Sequence, residues 1–498
     1  MRSKIIISLF SFLLLCTISC SDYLDINEDP SFPQVAEGYT LLPSIHANMV
    51  RASAWDSRYI GQYVQYWGWV TSGNVWDLHG YAAASDACGE HWRSHYWSIG
   101  TNIDLVIEDG LKNNRPDYIG AAKAIRAWSW QASTDIHGEM VLKQAWEPNR
   151  YVFDFDPQEE VYQEVVKLCE EAIVELDKTG YPKSLSRGDL VYKGDVDKWK
   201  KFTYGVLARN SHNITNKSTY NADKVIGFVD KALASNADNF SVPHLATGST
   251  DANFYGPLRN NMGNFRQSAY IISLLDGTVF NTVVDPRLTK MFVACPDGVF
   301  RGVLPGGGDP NNVTNNTKRI PNLWGALGVA PTAGKWIFDN ATPHNIMTYA
   351  EMQFIKAEAA FIKKDATMAR DAFIKGVGAS LDFLGVAAAD KTKYLTSAAI
   401  PQTAAALTLS DIMLQKYIAL YAMNSVETWS DMRRYNYDVA VYKGFSFPSV
   451  FSTTNNRLPA QRVRARYNSE YVWNRESLNT FGALEDSYHT NVLWFTQK

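Results

Sequence analysis

The chain has 498 residues, 46% of them hydrophobic, and a formal net charge of −3 from 48 basic and 51 acidic side chains. The apolar content excludes a largely disordered chain, and the charge supplies no basic face for nucleic acid. The length exceeds the roughly 250–300 residues that one hydrophobic core supports, so we expect two packed sub-regions. Aromatic residues reach 13%, with 15 Trp and 26 Tyr.

The first twenty residues resemble the signal of an exported lipoprotein. A short basic start at residues 1–4 precedes an apolar run at residues 5–15. The run is shorter than the ~20 apolar residues that cross a bilayer and predicts a secretory signal. Ser19 followed by Cys20 is similar to the lipobox of bacterial lipoproteins, in which the signal is removed before the cysteine and the cysteine is acylated, for example with palmitate. The alternative is an ordinary secretory signal with Cys20 as a bystander.

These features divide the chain into three predicted segments. Residues 1–19 form the signal peptide, residues 20–38 a lipid-anchored tether and N-terminal segment, and residues 39–498 the folded domain. The polar and acidic composition of residues 21–29 suits a solvated tether. Two or more acyl chains would anchor the protein firmly, because each buried CH₂ group contributes roughly 0.8 kcal/mol.

Hydrophobic periodicity predicts that the domain is mostly α-helical. Apolar side chains recur at spacings of three and four, with charged residues in most gaps, at Val161, Val165, Leu168, Ala172 and Leu176, which is typical of an amphipathic helix. The same pattern covers residues 117–137, 195–212, 221–235, 267–276, 347–361, 367–384 and 408–424. Paired helices of this length predict stacked helical hairpins that are tetratricopeptide-like, although the strict repeat signature is absent.

Two regions interrupt the helical pattern. Residues 238–345 are rich in Gly, Pro, Asn and Thr, and residues 436–498 are also irregular. We interpret both as loop-rich insertions, with short strands, laid over the helical scaffold. Loops on a rigid scaffold are the usual place for ligand contacts.

The sequence offers no complete catalytic or metal-binding motif. It has no G-x-S-x-G elbow, no P-loop, no H-E-x-x-H and no complete EF-hand loop. His91 and His95 could share a metal on one helix face, but no third ligand is placed by spacing, and packing is the favoured interpretation. Asp154 and Asp156 could begin a calcium loop, but the chain then lacks the further ligands. We predict no enzyme activity, no metal and no cofactor. A glycan hydrolase remains an alternative, because its two catalytic carboxyl groups come together in the fold and need not be close in sequence.

Eight short motifs in order carry a resemblance to a known family. They occupy residues 25–30 (D-I-N-E-D-P), 134–140 (T-D-I-H-G-E-M), 156–162, 188–195, 285–288 (D-P-R-L), 348–359, 427–434 (E-T-W-S-D-M-R-R) and 456–463 (N-R-L-P-A-Q-R-V). Together they resemble the SusD/RagB family of outer-membrane nutrient-binding lipoproteins, in its SusD-like variant branch. Glu139 and Val141 depart from the family's pattern at an acidic position and a proline position.

The resemblance implies a function. Members of this family sit on the exterior of the outer membrane, cap a SusC-like TonB-dependent transporter, and pass captured glycans, or in some members peptides, to it without chemistry. We therefore expect a lipid-anchored protein, held in the outer membrane through acylated Cys20, that captures oligosaccharides for such a transporter. The alternatives are the same role with peptide ligands, a surface-anchored glycan hydrolase, and a structural or adhesive surface protein.

Aromatic segments are the candidates for ligand contact, since sugars present C–H faces to rings and hydroxyl groups to polar side chains. Each aromatic platform contributes on the order of 1 kcal/mol beyond area burial, so several are needed for micromolar affinity. The best segment, 66–81, lacks clean helical periodicity, and the second candidate is the irregular region 238–345. The predicted ligand-binding residues are Trp67, Trp69, Trp76 and Tyr81 in the first, and Tyr255, Arg259 and Trp324 in the second. The alternative is that most of these rings are core residues.

The charged residues within these motifs suggest a structural role rather than ligand binding. Glu351 and Glu358 lie on a predicted helix whose other side is apolar. Arg–carboxylate pairs fix geometry through two parallel hydrogen bonds. We predict that these glutamates pair with arginines that pin the C-terminal segment to the helical scaffold, the available partners being Arg433, Arg434, Arg457 and Arg462.

Overall fold

The computed structural model describes residues 36–328 and 333–498, so the predicted signal peptide and Cys20 lie outside the described residues. Within them, helices dominate the regular structure and four short strands form two antiparallel pairs. The prediction of a mostly α-helical fold is confirmed. No described helix combines the length and the apolar character that a membrane span requires.

The N-terminal half of the described chain is a succession of helices that pack on their neighbours in sequence. They are α1 (Gly38–Tyr63), α2 (Glu90–Arg93), α3 (Gly100–Lys112), α4 (Pro116–His137), α5 (Gln158–Leu176), α6 (Val196–Asn213) and α7 (Ala222–Val229). Helix α4 packs against α5, and α5 packs against α6. The Asp195 side chain caps α6 by accepting from the Lys198 N–H, which satisfies one amide that the helix leaves free.

The second half contains the shorter helices and a second set of packed pairs. They are α8 (Ala269–Leu275), α9 (Leu288–Met291), α10 (Tyr349–Ile362), α11 (Ala366–Phe383), α12 (Ala388–Leu395), α13 (Leu409–Leu420), α14 (Ser425–Arg434) and α15 (Arg475–Thr480). Helix α10 packs against both α11 and α13. Thr408 and Asp411 form a reciprocal capping box at the start of α13, which defines where that helix begins.

The strands attach the loop-rich region to the helical scaffold. Strand β1 (Trp67–Trp69) pairs with β3 (Phe265–Gln267), and β2 (Phe240–Val242) pairs with β4 (His344–Met347), both antiparallel. Because β2 and β4 lie at the two ends of the predicted 238–345 insertion, their pairing closes the insertion at its base. Its longest described helix, α8, has seven residues, which agrees with the irregular composition.

Some helices differ from the predicted ones. The helix predicted at 221–235 ends at Val229, and the one predicted at 408–424 ends at Leu420. Helices α1 and α3 were not predicted at all. In α1 the reason is that polar His46, Asp56 and Gln62 are fully buried, so its buried face does not read as an apolar stripe.

Two buried ion pairs hold α10 to other helices. Arg209 Nε lies 2.7 Å from Glu351 Oε1, and Arg434 Nη1 lies 2.7 Å from Glu358 Oε1, with all four side chains buried. The pairing of Glu358 with Arg434 is as predicted. The partner of Glu351 is instead Arg209, which lies in α6.

The other predicted arginine contacts serve the C-terminal segment. Arg433 donates to the backbone carbonyls of Gln461 and Asp135, each at 2.7 Å. Arg462 pairs with Glu139, the residue that departs from the family pattern, at 2.5 Å. These bonds tie residues 461–462 to the region around α4, as the sequence suggested.

Candidate functional site

Four of the seven predicted ligand-binding residues are buried. The side chains of Trp67, Trp76, Tyr255 and Trp324 are 1%, 5%, 0% and 4% exposed. The Trp67 Nε1–H donates to the Arg58 carbonyl at 3.1 Å, and the Trp324 Nε1–H donates to the Tyr255 carbonyl at 2.6 Å. Burial argues against ligand contact by Trp67, Tyr255 and Trp324, and the two indole N–H groups are also satisfied inside the protein. Trp76 differs, because it also lines a cavity.

The other three predicted residues are half-buried but do not converge. The Trp69 ring packs edge-on against Phe265, with centroids 5.0 Å apart. The Arg259 guanidinium lies 5.7 Å from the centroid of Phe254. Tyr81 lines the same cavity as Trp76, whereas Trp69 and Arg259 do not. The structure therefore brings together two of the seven, Trp76 and Tyr81.

That cavity has a volume of about 170 Å³ and lies between two distant parts of the chain. One wall is the loop 81–89, which directly follows the aromatic segment 66–81. The other is formed by residues 463–471 and by Arg475 at the start of α15. We call it the tyrosine pocket, because Tyr81, Tyr467 and Tyr471 line it.

The three tyrosines present partly exposed ring faces. Tyr467 and Tyr471, four residues apart on one turn, stack with centroids 5.9 Å apart and planes 16° apart. The Tyr81 ring packs on the Arg464 guanidinium at 4.2 Å. The Tyr471 hydroxyl donates to the Ala483 carbonyl at 2.8 Å, which fixes its ring. Aromatic faces beside hydrogen-bond donors suit a ligand with both apolar faces and polar edges.

Contacts through Asp86 hold the two walls together. Its carboxylate accepts from the Asn468 backbone N–H and from the Asn468 side-chain amide, both at 2.9 Å. It also pairs with Arg466 Nη2 at 2.5 Å. Ala84 and Cys88 in the same loop adopt left-handed conformations, with φ of 51° and 61°. Such conformations are strained in non-glycine residues and persist where surrounding contacts enforce them, so this wall is pre-formed.

A buried carboxyl lies in the segment that leads to the pocket. Asp77 is 2% exposed and accepts a hydrogen bond from the Trp69 N–H at 3.0 Å. No basic side chain in the described parts of the chain forms an ion pair with it. Burial raises the pKa of Asp77 to about 7, although the Trp69 hydrogen bond opposes that rise.

The residues considered for metal binding form hydrogen bonds within the protein. The imidazole Nδ1 of His91 lies 2.8 Å from Asp56, and that of His95 lies 2.8 Å from the Ser129 hydroxyl. Asp156 accepts from the backbone N–H groups of Leu142 and Lys143. Across residues 36–328 and 333–498 no cluster of three or more His, Cys, Asp or Glu side chains is arranged to hold a metal ion.

Tyr467, Tyr471 and Arg464 were not among the site residues predicted from the sequence. One available signal was the spacing of the two tyrosines, which places them on one face of a helical turn. The other was their position inside the irregular region 436–498, where ligand contacts were expected in general. The pairing of this region with the 81–89 loop leaves no mark in local sequence.

Comparison with known proteins places the fold. A SusD-like family model, described as "Starch-binding associating with outer membrane", matches residues 30–464. A SusD homologue from Bacteroides uniformis superposes with a TM-score of 0.73 at 19% identity, over 93% of this chain and 99% of its own. No curated protein matches the sequence.

Two further solved structures share the architecture. A SusD/RagB family protein from Bacteroides thetaiotaomicron has a TM-score of 0.67 at 21% identity, over 93% of this chain and 99% of its own. A chitin-binding SusD homologue from Flavobacterium johnsoniae has a TM-score of 0.71 at 18% identity, over 92% and 98%. With the family model spanning most of the sequence, the chain belongs to the SusD/RagB family of outer-membrane-associated proteins.

Proposed function

We propose that this protein is a cell-surface lipoprotein that captures oligosaccharides and delivers them, chemically unchanged, to a SusC-like TonB-dependent transporter. The observation that carries the proposal is the tyrosine pocket, in which Tyr81 on a pre-formed loop lies across the cavity from Tyr467 and Tyr471. The description of the family as starch-binding and of one neighbour as chitin-binding supports a glycan as the ligand.

The size of the pocket fits part of a chain. Its volume of about 170 Å³ is below the roughly 300 Å³ of cavities that enclose a whole drug-sized ligand. A glycan would therefore insert one unit or one end and leave the rest outside. Three tyrosine faces at about 1 kcal/mol each, added to the area buried, are enough for weak capture followed by release.

The acidic groups of the pocket favour binding over hydrolysis. Glycoside hydrolysis uses a pair of carboxyl groups on either side of the scissile bond. Among the described residues that line the pocket, Asp86 supplies the one carboxylate. Asp86 is engaged with Arg466 and Asn468, so it is a wall contact and not a free acid or base.

The membrane role rests on the N-terminal sequence and the family. The adjacent residues Ser19 and Cys20 support removal of the signal and acylation of Cys20. The acyl chains would hold the protein on the membrane. Mass spectrometry of the native N-terminus tests this step, and an unmodified Cys20 would contradict it. Purification in detergent of the full chain tests the partner, with a large β-barrel transporter expected to co-purify.

Calorimetric titration tests the pocket. The soluble chain beginning after Cys20 is titrated with oligosaccharides from starch, chitin and acidic glycans, and with peptides. The double variant Tyr467→Ala/Tyr471→Ala should raise Kd by about tenfold or more, since two platforms are worth about 2 kcal/mol. Tyr467→Phe keeps the ring and should bind normally.

A control uses a tyrosine outside the pocket. Tyr151 is 79% exposed and does not line the cavity, so Tyr151→Ala should leave binding unchanged. Glycan binding that survives the double variant would contradict the assignment of the pocket. Binding of peptides but of no oligosaccharide would mean that the ligand is a peptide. Shortening of the oligosaccharides would mean that the protein hydrolyses its ligand.

A further inference from the structure

The tyrosine pocket collects positive charge on a protein that is acidic overall. The lining residues include Arg464, Arg466 and Arg475, against the single carboxylate of Asp86. The chain as a whole carries a formal charge of −3. The excess of cations in the pocket is therefore local and not a reflection of composition.

The pairing of these charges leaves two arginines uncompensated. Arg466 and Asp86 neutralise one another at 2.5 Å. Arg464 donates from Nη1 to the Ala483 carbonyl and the Tyr471 hydroxyl, at 3.1 and 3.3 Å, and from Nη2 to the carbonyls of Glu485 and Asp486. These acceptors are neutral and hold the guanidinium in place without removing its charge.

Carboxylates near these arginines do not neutralise them within the described parts of the chain. The structure gives no ion pair between a described acidic side chain and Arg464 or Arg475. Glu485 and Asp486 are exposed and do not line the pocket, and Glu476 beside Arg475 does not line it either. Arg475 is itself exposed, so its donors are available to a ligand.

The cationic character continues along an aromatic row that leaves the pocket. Trp76 packs on Tyr59 with centroids 4.7 Å apart. The guanidinium of the adjacent Arg58 lies 4.2 Å from the ring centroid of Trp55 and 5.2 Å from that of Phe254. The described acidic side chains form no ion pair with Arg58. Further aromatic rings and a further guanidinium therefore lie behind the pocket wall at Trp76.

From this arrangement we propose that the ligand is an anionic saccharide, a glycan that carries carboxylate groups as uronic acids do. The inference rests on the proposed glycan-binding function and narrows it. Guanidinium groups recognise carboxylates through two parallel hydrogen bonds, and an uncompensated guanidinium gains most from a charged partner. The terminal N–H groups of Arg464 are already bonded to protein oxygens, so Arg475 is the candidate for the two parallel bonds and Arg464 contributes its charge. A neutral glucan or chitin chain would leave both charges uncompensated.

The test compares matched acidic and neutral ligands on the soluble chain. Calorimetric titrations use oligomers of galacturonate, glucuronate and mannuronate, the same oligomers as methyl esters, and neutral starch and chitin oligomers. We expect at least one free acid to bind at least tenfold more tightly than its methyl ester. We also expect that binding to weaken between about 50 and about 300 mM NaCl, because salt screens exposed charges.

Variants assign the preference to the pocket. Arg475→Gln should weaken binding of the acid about tenfold and leave binding of the methyl ester unchanged, and Arg475→Lys should restore part of the loss. Arg150→Gln removes an exposed arginine that does not line the pocket and should have no effect.

The outcomes separate this inference from the proposed function. Tight binding of neutral oligomers with no preference for the acids would overturn the anionic ligand and leave glycan capture standing. A preference for acids that survives Arg475→Gln would overturn the role given to the pocket arginines. If no saccharide in the panel binds, the result would count against both the anionic ligand and the proposed glycan capture.

Discussion

Two buried carboxyl groups show how differently the helical core and the pocket side of the molecule treat charge. Glu358 in the core accepts hydrogen bonds from Arg434 at 2.7 Å and from the Tyr435 hydroxyl at 2.6 Å. Asp77, in the segment leading to the tyrosine pocket, accepts one from the Trp69 backbone N–H at 3.0 Å. Burial alone would raise the pKa of both groups. Arg434, together with His212 and Lys416, outweighs burial and holds the pKa of Glu358 well below its usual range, whereas the pKa of Asp77 rises to about 7.

The arginines differ between the helical core and the tyrosine pocket in the same way as the carboxyl groups. Arg209 and Arg434 are buried and each faces a carboxylate, while Arg464 and Arg475 in the tyrosine pocket have none in the described residues. Arg209 and Arg434 are thus balanced by carboxylates, as buried ions require. The two pocket arginines leave charge available to something outside the chain. Uncompensated charge beside a cavity is the feature that distinguishes the tyrosine pocket from these core pairs.

The largest effect should come from breaking a core pair. Arg434→Met leaves Glu358 buried without its cation, and removing one partner of such a pair costs about 3–5 kcal/mol. Urea denaturation should show a loss of that size in the free energy of unfolding. Adding Glu358→Gln to the same chain should recover part of it. A loss below about 1 kcal/mol would mean that the pair does not stabilise the core.

The second test removes the uncompensated carboxyl. Because the pKa of Asp77 is about 7 in the folded state and 3.8 is the ordinary value for an aspartate, the native state holds a proton that the unfolded state releases. Its contribution to stability is full below pH 4 and is lost as the pH rises towards 7. Asp77→Asn keeps the acceptor for the Trp69 N–H and should flatten this dependence.

At pH 8 the Asn variant should therefore be more stable than the parent protein by about 4 kcal/mol, since the pKa shift spans about three units and each unit is worth about 1.4 kcal/mol. At pH 4 the two proteins should agree. Urea titrations at both pH values measure the difference. Equal gains at pH 4 and pH 8 would show that Asp77 does not titrate in this range.

A smaller effect is expected from the strained loop. Ala84 has a φ of 51°, which glycine adopts without the steric cost paid by other residues. After allowing for the greater freedom of glycine in the unfolded chain, Ala84→Gly should stabilise the protein by about 0.5–1 kcal/mol. The neighbouring Ala83→Gly offers no relief of a positive φ and should be neutral or destabilising. Thermal unfolding of both variants makes the comparison.

The smallest effect on stability should come from the pocket arginine. Arg475 is exposed and forms no ion pair with the described residues, so Arg475→Gln should change the free energy of unfolding by less than about 0.5 kcal/mol. Set against Arg434→Met, this variant separates a charge kept for binding from a charge kept for folding. A loss comparable to that of Arg434→Met would remove the distinction.

The sequence predicted those parts of the fold that depend on local patterns. Helix α5 has a clean apolar stripe and was predicted from it, whereas α1 was missed because buried Asp56 and His46 interrupt its pattern. The partner of Glu351 was missed for a related reason. Arg209 lies 142 positions away, and no local spacing connects two residues at that distance.

The site was predicted only in part for the same reason. Tyr81 and Trp76 belong to an aromatic segment that stands out in the sequence, and both line the pocket. The other predicted tryptophans are equally aromatic, but Trp67 and Trp324 fill the core. Composition cannot distinguish a ring that packs inside from a ring at a cavity, because that depends on which segments meet in the folded state.

The contacts of Asp86 with Asn468 join positions 382 residues apart, and this has a consequence for the maturation of the protein. The cavity does not exist in any fragment that lacks either end of the described chain. A polypeptide that emerges from the export machinery amino-terminus first would become competent for ligand only when its last segments have docked. The presence of the cavity would therefore report complete folding more faithfully than helical content does, and a single proteolytic cut followed by loss of the carboxy-terminal segment would destroy the cavity while most of the helices remained.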